Sequence, residues 1–140
     1  MIGRREVLCQ LGAGLVGLYG CAGLPTYMAV LKSDEIILDR IAVEKALQER
    51  EAIRVRAAGL AEDIVLMRLD SGGEGFVALG MKCSHLGCQV RPGGEFLVCP
   101  CHGSTYNLRG EVVRGPAQKS LKQYRISIVK DSITITAAMK

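Results

Sequence analysis

Polar and apolar residues alternate along much of the chain, and the alternation is clearest near its end. Tyr124, Ile126 and Ile128 share one face of Tyr124–Val129, and Ile133 and Ile135 share one face of Ser132–Thr136, with Lys130-Asp131 as the turn between them. A period of two is that of a half-buried strand. Ala52–Arg56 repeats it with Ile53 and Val55, while Ile64–Leu69 is apolar enough to be a buried strand. Phe76–Met81 follows the turn-forming Asp70-Ser71-Gly72-Gly73, and Glu95–Val98 follows Pro92-Gly93-Gly94. Ahead of these lie a short apolar run, Ile36-Ile37-Leu38, and the helix-forming residues Ala42–Gln48. Some half-dozen short strands with one helix predict an all-β domain, an antiparallel sandwich or barrel. No internal repeat interrupts the pattern.

The N-terminus follows another pattern. After Met-Ile-Gly-Arg4-Arg5-Glu6, no charged residue occurs from Val7 to Leu31, 25 residues, and the polar chain begins at Lys32. A basic head, an apolar stretch and a polar body predict an export signal or a membrane anchor over residues 1–31, with the folded domain at 32–140. Arg4-Arg5 resembles a twin-arginine signal, the address of proteins exported already folded. Two fates stay open. The stretch is long enough to span a bilayer, which takes roughly 20 residues, although five glycines in residues 12–23 and Pro25 weaken a helix. Alternatively, Leu18-Tyr19-Gly20-Cys21 resembles a lipoprotein cleavage box, with a lipid on Cys21; Cys9 is then apolar filler. Both place the domain on the outer or periplasmic face of a bacterial cytoplasmic membrane.

Composition narrows the function classes. A chain of 140 residues holds one small domain and an appendage. The net charge of +4 is spread along the chain, and no dense basic run points to nucleic acid. With no Trp and two Phe, the core must be built from Val, Ile and Leu.

Four of the six cysteines (Cys83, Cys88, Cys99 and Cys101) and both histidines (His85 and His102) fall within residues 83–102. Interleaved Cys and His are the pattern of a metal site. The halves read Cys83-Ser84-His85-Leu86-Gly87-Cys88 and Cys99-Pro100-Cys101-His102-Gly103-Ser104-Thr105-Tyr106, with 13 residues between His85 and Cys99. Iron–sulfur and four-thiolate zinc chemistry both draw on such residues. Lys82, Arg91 and Arg114 flank the loops as solvated charges.

These halves resemble the paired loops of the Rieske iron–sulfur proteins, in the disulfide-bearing, high-potential branch found in cytochrome bc and b6f-type complexes. The resemblance extends more loosely over residues 35–136. It implies a Rieske-like antiparallel β-sandwich with a small subdomain of two loops (83–106), covered by a proline loop at Gly115-Pro116-Ala117. It implies one [2Fe–2S] cluster, with Cys83 and Cys99 on one iron and His85 and His102 on the other. Two ferric ions, two sulfides and two thiolates sum to zero charge, against minus two for four thiolates, so reduction is easier. Ser104 and Tyr106 would donate hydrogen bonds to cluster sulfurs, favouring the reduced state. Cys88 and Cys101 would form a disulfide, which an exported domain permits and which oxygenase-type Rieske domains lack. Leu86 would shield the cluster.

The function implied is one-electron transfer, in the iron–sulfur subunit of a quinol-oxidising respiratory or photosynthetic complex. Its partners would be quinol, cytochrome b and a c-type cytochrome, with His102 presenting its outer ring nitrogen to quinol. The alternative is a membrane-tethered Rieske electron shuttle, or the small subunit of another oxidoreductase such as arsenite oxidase.

Overall fold

The computed structural model describes residues 23–69 and 75–137. In chain order its elements are β1 (Thr26–Lys32), β2 (Glu35–Asp39), α1 (Arg40–Glu49), β3 (Ala52–Ala58), β4 (Ile64–Arg68), β5 (Phe76–Gly80), β6 (Arg91–Gly93), β7 (Phe96–Val98), β8 (Thr105–Asn107), β9 (Val112–Arg114), β10 (Gln123–Val129) and β11 (Ser132–Thr136). Seven strands close into a barrel in the order β1-β2-β11-β10-β5-β4-β3, and the other four form a separate sheet in the order β6-β7-β8-β9.

Alternation builds the barrel core. Ile36 and Leu38 of β2, Ile53 and Val55 of β3, and Ile133 and Ile135 of β11 all point into it. Val43 of α1 joins them, and the Asp39 carboxylate caps that helix by accepting from the Ala42 amide at 2.8 Å. Strands β4 and β5 lack polar alternation because both their faces are covered. Ile64, Leu66 and Ala78 point into the barrel, whereas Val65, Met67, Val77 and Leu79 point outward into a second core with Met81, Val90, Leu97, Tyr106 and Leu121. Each large apolar side chain buried there contributes about 1.5–3 kcal/mol. The outward row is what seats the small sheet on the barrel.

The architecture departs from expectation in three ways. The main sheet is a closed barrel, one of the two forms the strand pattern allows, and not the sandwich the resemblance implies, because β1 pairs on both sides and leaves no free edge. One pairing is parallel: β1 lies along β3 with Met28 opposite Arg56, since the chain returns through β2 and α1. Finally, the boundary drawn between residues 31 and 32 falls inside a barrel strand. Tyr27, Ala29 and Leu31 pack on the barrel core while Met28 and Val30 face out, so both faces of β1 are apolar and no period of two shows. Arg4-Arg5, Cys9, Cys21 and the turn expected over Asp70–Gly73 lie outside the described residues. Among the described residues no helix is long and apolar enough to cross a membrane.

The turn between β3 and β4 carries a mostly buried carboxylate, Asp63. It accepts two hydrogen bonds from Arg56, at 2.9 and 2.6 Å, and one from Gln89 at 2.9 Å. The Arg56 hydrogen bonds lead in holding its pKa below the usual carboxylate range, against the opposing effect of burial. A depressed pKa gives stability that is present above the unfolded value and lost as pH falls through the folded one. Asp63→Asn should therefore destabilise the protein at neutral pH and flatten the loss of stability below about pH 4. Urea titrations at pH 3 and pH 6 measure this, and parallel losses in both proteins would contradict it.

Candidate metal centre

The two cysteine loops share one backbone design. In the first, the Cys83 amide donates to the Cys88 carbonyl (2.8 Å) and the Gly87 amide to the Cys83 carbonyl (2.9 Å). In the second, the Cys99 amide donates to the Ser104 carbonyl (2.8 Å) and the Gly103 amide to the Cys99 carbonyl (3.0 Å). The offsets of five and four residues are identical. Gly87 and Gly103 occupy the same place in each turn, at φ of 82° and 78°, a region that glycine enters without steric cost. One loop follows β5 and the other lies between β7 and β8.

Within this frame the four cysteines sort into two pairs. Cys88 and Cys101 form a disulfide that ties the loops together. Cys83 and Cys99 are the free cysteines among the described residues, and both are buried, each 2% exposed. The Cys99 sulfur lies within 4.8 Å of both disulfide sulfurs. Bonded to each other, Cys88 and Cys101 offer no thiolate, so four thiolates for a zinc site are absent from this arrangement. Across the loops the His85 and His102 rings stand edge to face, 4.8 Å apart. His85 Nδ1 is buried with no hydrogen-bond partner, and His102 is exposed.

Two hydroxyls are buried beside the loops, those of Tyr106 and Ser104. The Tyr106 oxygen is 3.2 Å from Cys83 Sγ and 3.2 Å from Ser84 Oγ, and accepts from the Ser84 amide at 3.1 Å. Ser84 Oγ donates its own proton to the Lys119 carbonyl at 2.6 Å, which leaves the Tyr106 proton for Cys83 Sγ or Ser84 Oγ. Ser104, fully buried, accepts from the Ala117 amide at 3.0 Å, a bond that leaves its own hydroxyl proton uncommitted. Burial pushes the Cys83 thiol up, but hydrogen bonds led by Tyr106 outweigh it and leave the pKa below the usual thiol value. Burial pushes Cys99 up, against an opposing backbone hydrogen bond from Cys101, and the neighbouring Cys83 adds to the rise. Of the two sulfurs, Cys83 is thus the one whose surroundings favour negative charge.

The expected proline loop lies where it can act on both halves. Ala117 binds Ser104 and Lys119 binds Ser84, so residues 117–119 strap the two loops from one side. Lys82, Arg91 and Arg114 are exposed, and Leu86 is exposed at 69%. Sequence reasoning overlooked Ser84. Its hydroxyl position inside the motif was the available clue.

A free buried thiol and an imidazole on each of two disulfide-tied loops, the imidazoles in contact and one with a buried nitrogen that has no partner, fit the mixed sulfur and nitrogen donor set of a Rieske centre. Residues 39–125 match the family model of the Rieske [2Fe–2S] domain. The chain belongs to that family: it is an electron-transfer domain whose cofactor is a [2Fe–2S] cluster. Within the family it resembles the iron–sulfur subunit of the cytochrome b6-f complex. It is 39% identical over 82 residues to that subunit from Synechococcus sp. strain JA-3-3Ab, covering 57% of this chain and 48% of the relative. It is 34% identical over 105 residues to subunit 1 from Synechocystis sp., covering 73% and 59%. The chain therefore spans about half the length of the curated relatives it matches. Among solved structures it resembles the plasma membrane Rieske protein PetC3 from Synechocystis PCC 6803, at 25% identity and a TM-score of 0.59, over 72% of this chain and 98% of that one. A chain from the oxygenase–ferredoxin complex of carbazole 1,9a-dioxygenase shares the fold at 18% identity and a TM-score of 0.60, over 78% of this chain and 98% of that one.

Tyr106→Phe should keep the cluster and lower its reduction potential. A hydrogen bond to a charged group is worth about 1.5–3 kcal/mol, which for one electron is on the order of 60–130 mV at most. Redox titration of the purified holoprotein checks this, and an unchanged potential would remove the role given to the hydroxyl.

Proposed function

We propose that this chain is the iron–sulfur subunit of a quinol-oxidising respiratory or photosynthetic complex, with Cys83, His85, Cys99 and His102 as the cluster ligands. The observation that carries the reading is the pairing of a loop-to-loop disulfide with a buried Tyr106 hydroxyl 3.2 Å from the buried Cys83 sulfur. Bound there, the cluster would take up and give back single electrons, in a class whose potentials span roughly −150 to +300 mV.

The chain's own residues supply the rest. Cys83 and Cys99 hold the buried side of the site, and the protein around them excludes water. His85 and His102 form its outer side, and the exposed His102 can take a proton from quinol at its outer ring nitrogen. Tyr106 and Ser104 place hydroxyl protons where negative charge increases on reduction, which raises the potential toward the upper part of the range.

Membrane attachment through the N-terminus belongs to this reading, with the domain on the periplasmic or outer face and Arg4-Arg5 as the export signal. Strand β1 takes up residues 26–32, so the uncharged run ahead of it is Val7–Pro25. That run is close to the roughly 20 residues a spanning helix needs, and a lipid on Cys21 is the other means of anchoring. A second reading, a membrane-tethered electron shuttle, draws support from the likeness to a plasma membrane Rieske protein that this chain matches over 98% of that protein's length.

The partner decides between them. Detergent extracts from the native membrane, purified through a tag on this chain, should carry b-type haem and show quinol-dependent reduction of the cluster. A holoprotein that purifies without haem and is not reduced by quinol would favour the shuttle and contradict the subunit assignment.

A further inference from the structure

The first ligand loop is gripped at its base by the turn that joins β3 to β4. Both edges of the loop are held. On the incoming edge the Met81 amide donates to the Asp63 carbonyl at 2.9 Å, and the Lys82 amide donates to Glu62 Oε2 at 2.8 Å. On the outgoing edge Gln89 Nε2 donates to Asp63 Oδ2 at 2.9 Å, and Lys82 and Gln89 face each other as an isolated bridge. Asp63 is in turn fixed to the barrel by the paired hydrogen bonds of Arg56 and by Arg54 Nε at 3.7 Å. Glu62 lies across the backbone of Gly80, where a Cβ would collide with its carboxylate, and its carboxylate also faces the buried Tyr124 hydroxyl. The residue that Glu62 holds, Lys82, is the immediate neighbour of Cys83.

A turn that served only to connect two barrel strands would have no reason to spend a carboxylate on the amide beside a ligand. Nor would it need a side-chain-free residue beneath that carboxylate. We infer that Glu62 is a positioning residue for the cluster: with Asp63 it clamps the base of the first ligand loop to the barrel, and through the Lys82 amide it fixes where Cys83 presents its sulfur. Gly80 is part of the same device, because its missing side chain is the space in which the carboxylate lies. The inference rests on the proposal that Cys83 is a ligand.

Three variants of the full-length holoprotein test it. Glu62→Ala removes the acceptor. Glu62→Gln keeps an acceptor oxygen and removes the charge. Gly80→Ala keeps the carboxylate and displaces it, which is sterically cheap because the far end of a flexible side chain gives way. The readouts are the rate of iron release to a chelator, the line shape of the reduced cluster in electron paramagnetic resonance, and hydrogen exchange of residues 81–90. Glu62→Ala and Gly80→Ala should both release iron severalfold faster, shift the line shape and exchange faster, while Glu62→Gln stays near wild type in all three. If Glu62→Ala fails to fold, Gly80→Ala and Glu62→Gln carry the same contrast. Wild-type behaviour in Glu62→Ala and Gly80→Ala, or equal damage in Glu62→Gln and Glu62→Ala, would overturn the clamp. Cys83→Ala keeps the two failures apart: a Cys83→Ala protein that retained its cluster would sink the ligand assignment, whereas wild-type behaviour at Glu62 and Gly80 sinks only the clamp.

Discussion

Strands β4 and β5 are buried on both faces, and the placement of the metal centre depends on that double burial. One row of side chains fills the barrel, and the other row, Val65, Met67, Val77 and Leu79, is the floor on which the small sheet rests. The first cysteine loop continues directly from β5, and the second reaches the same floor through Leu97 and Tyr106. Two loops joined only through the short strands β6 and β7 could face one another in many ways. Packing against a common wall selects one, because a well-packed core tolerates little displacement.

Sulfur chemistry then works within that geometry. Burying thiolates is costly unless donors face them. Here a donor is built in at Cys83: the Tyr106 hydroxyl lies 3.2 Å from its sulfur, and hydrogen bonds led by Tyr106 lower its pKa. The disulfide takes the remaining two cysteines out of contention as ligands and closes a short loop, a constraint worth about 3 kcal/mol in the chain-entropy picture. The segment around Ala117 and Lys119 adds a third tie from outside the motif. The site is thus held from the wall beneath, across its mouth and along one flank.

The candidate site residues could be named from the sequence because their chemistry resides in residue type and local spacing. Cys83, His85, Cys99, His102, Ser104 and Tyr106 all lie in two short motifs, and the structure brings them to facing loops. The strands β10 and β11 were legible for a different reason, since each has one wet face and therefore alternates. Strand β1 was hidden because Met28 and Val30 are apolar yet exposed, so the run reads as part of an N-terminal apolar segment. The three-residue strands β6, β8 and β9 are too short to carry a period. Barrel closure and the parallel β1–β3 pair are properties of long-range register, which no local pattern encodes. Glu62 escaped for the same reason: its partner amide is 20 residues away, and nothing adjacent to either residue marks the contact.

The central claim is that two sulfurs and two ring nitrogens from Cys83, Cys99, His85 and His102 hold one [2Fe–2S] cluster. Pulsed electron paramagnetic resonance on the reduced holoprotein, prepared with ordinary and with nitrogen-15-labelled histidine, addresses it directly. The account predicts iron and acid-labile sulfide in equal amounts, a signal averaging below the free-electron g value, and hyperfine coupling to two nitrogens that changes with the labelled histidine. A signal without histidine nitrogen coupling, or a purified protein carrying stoichiometric zinc and no iron, would contradict it.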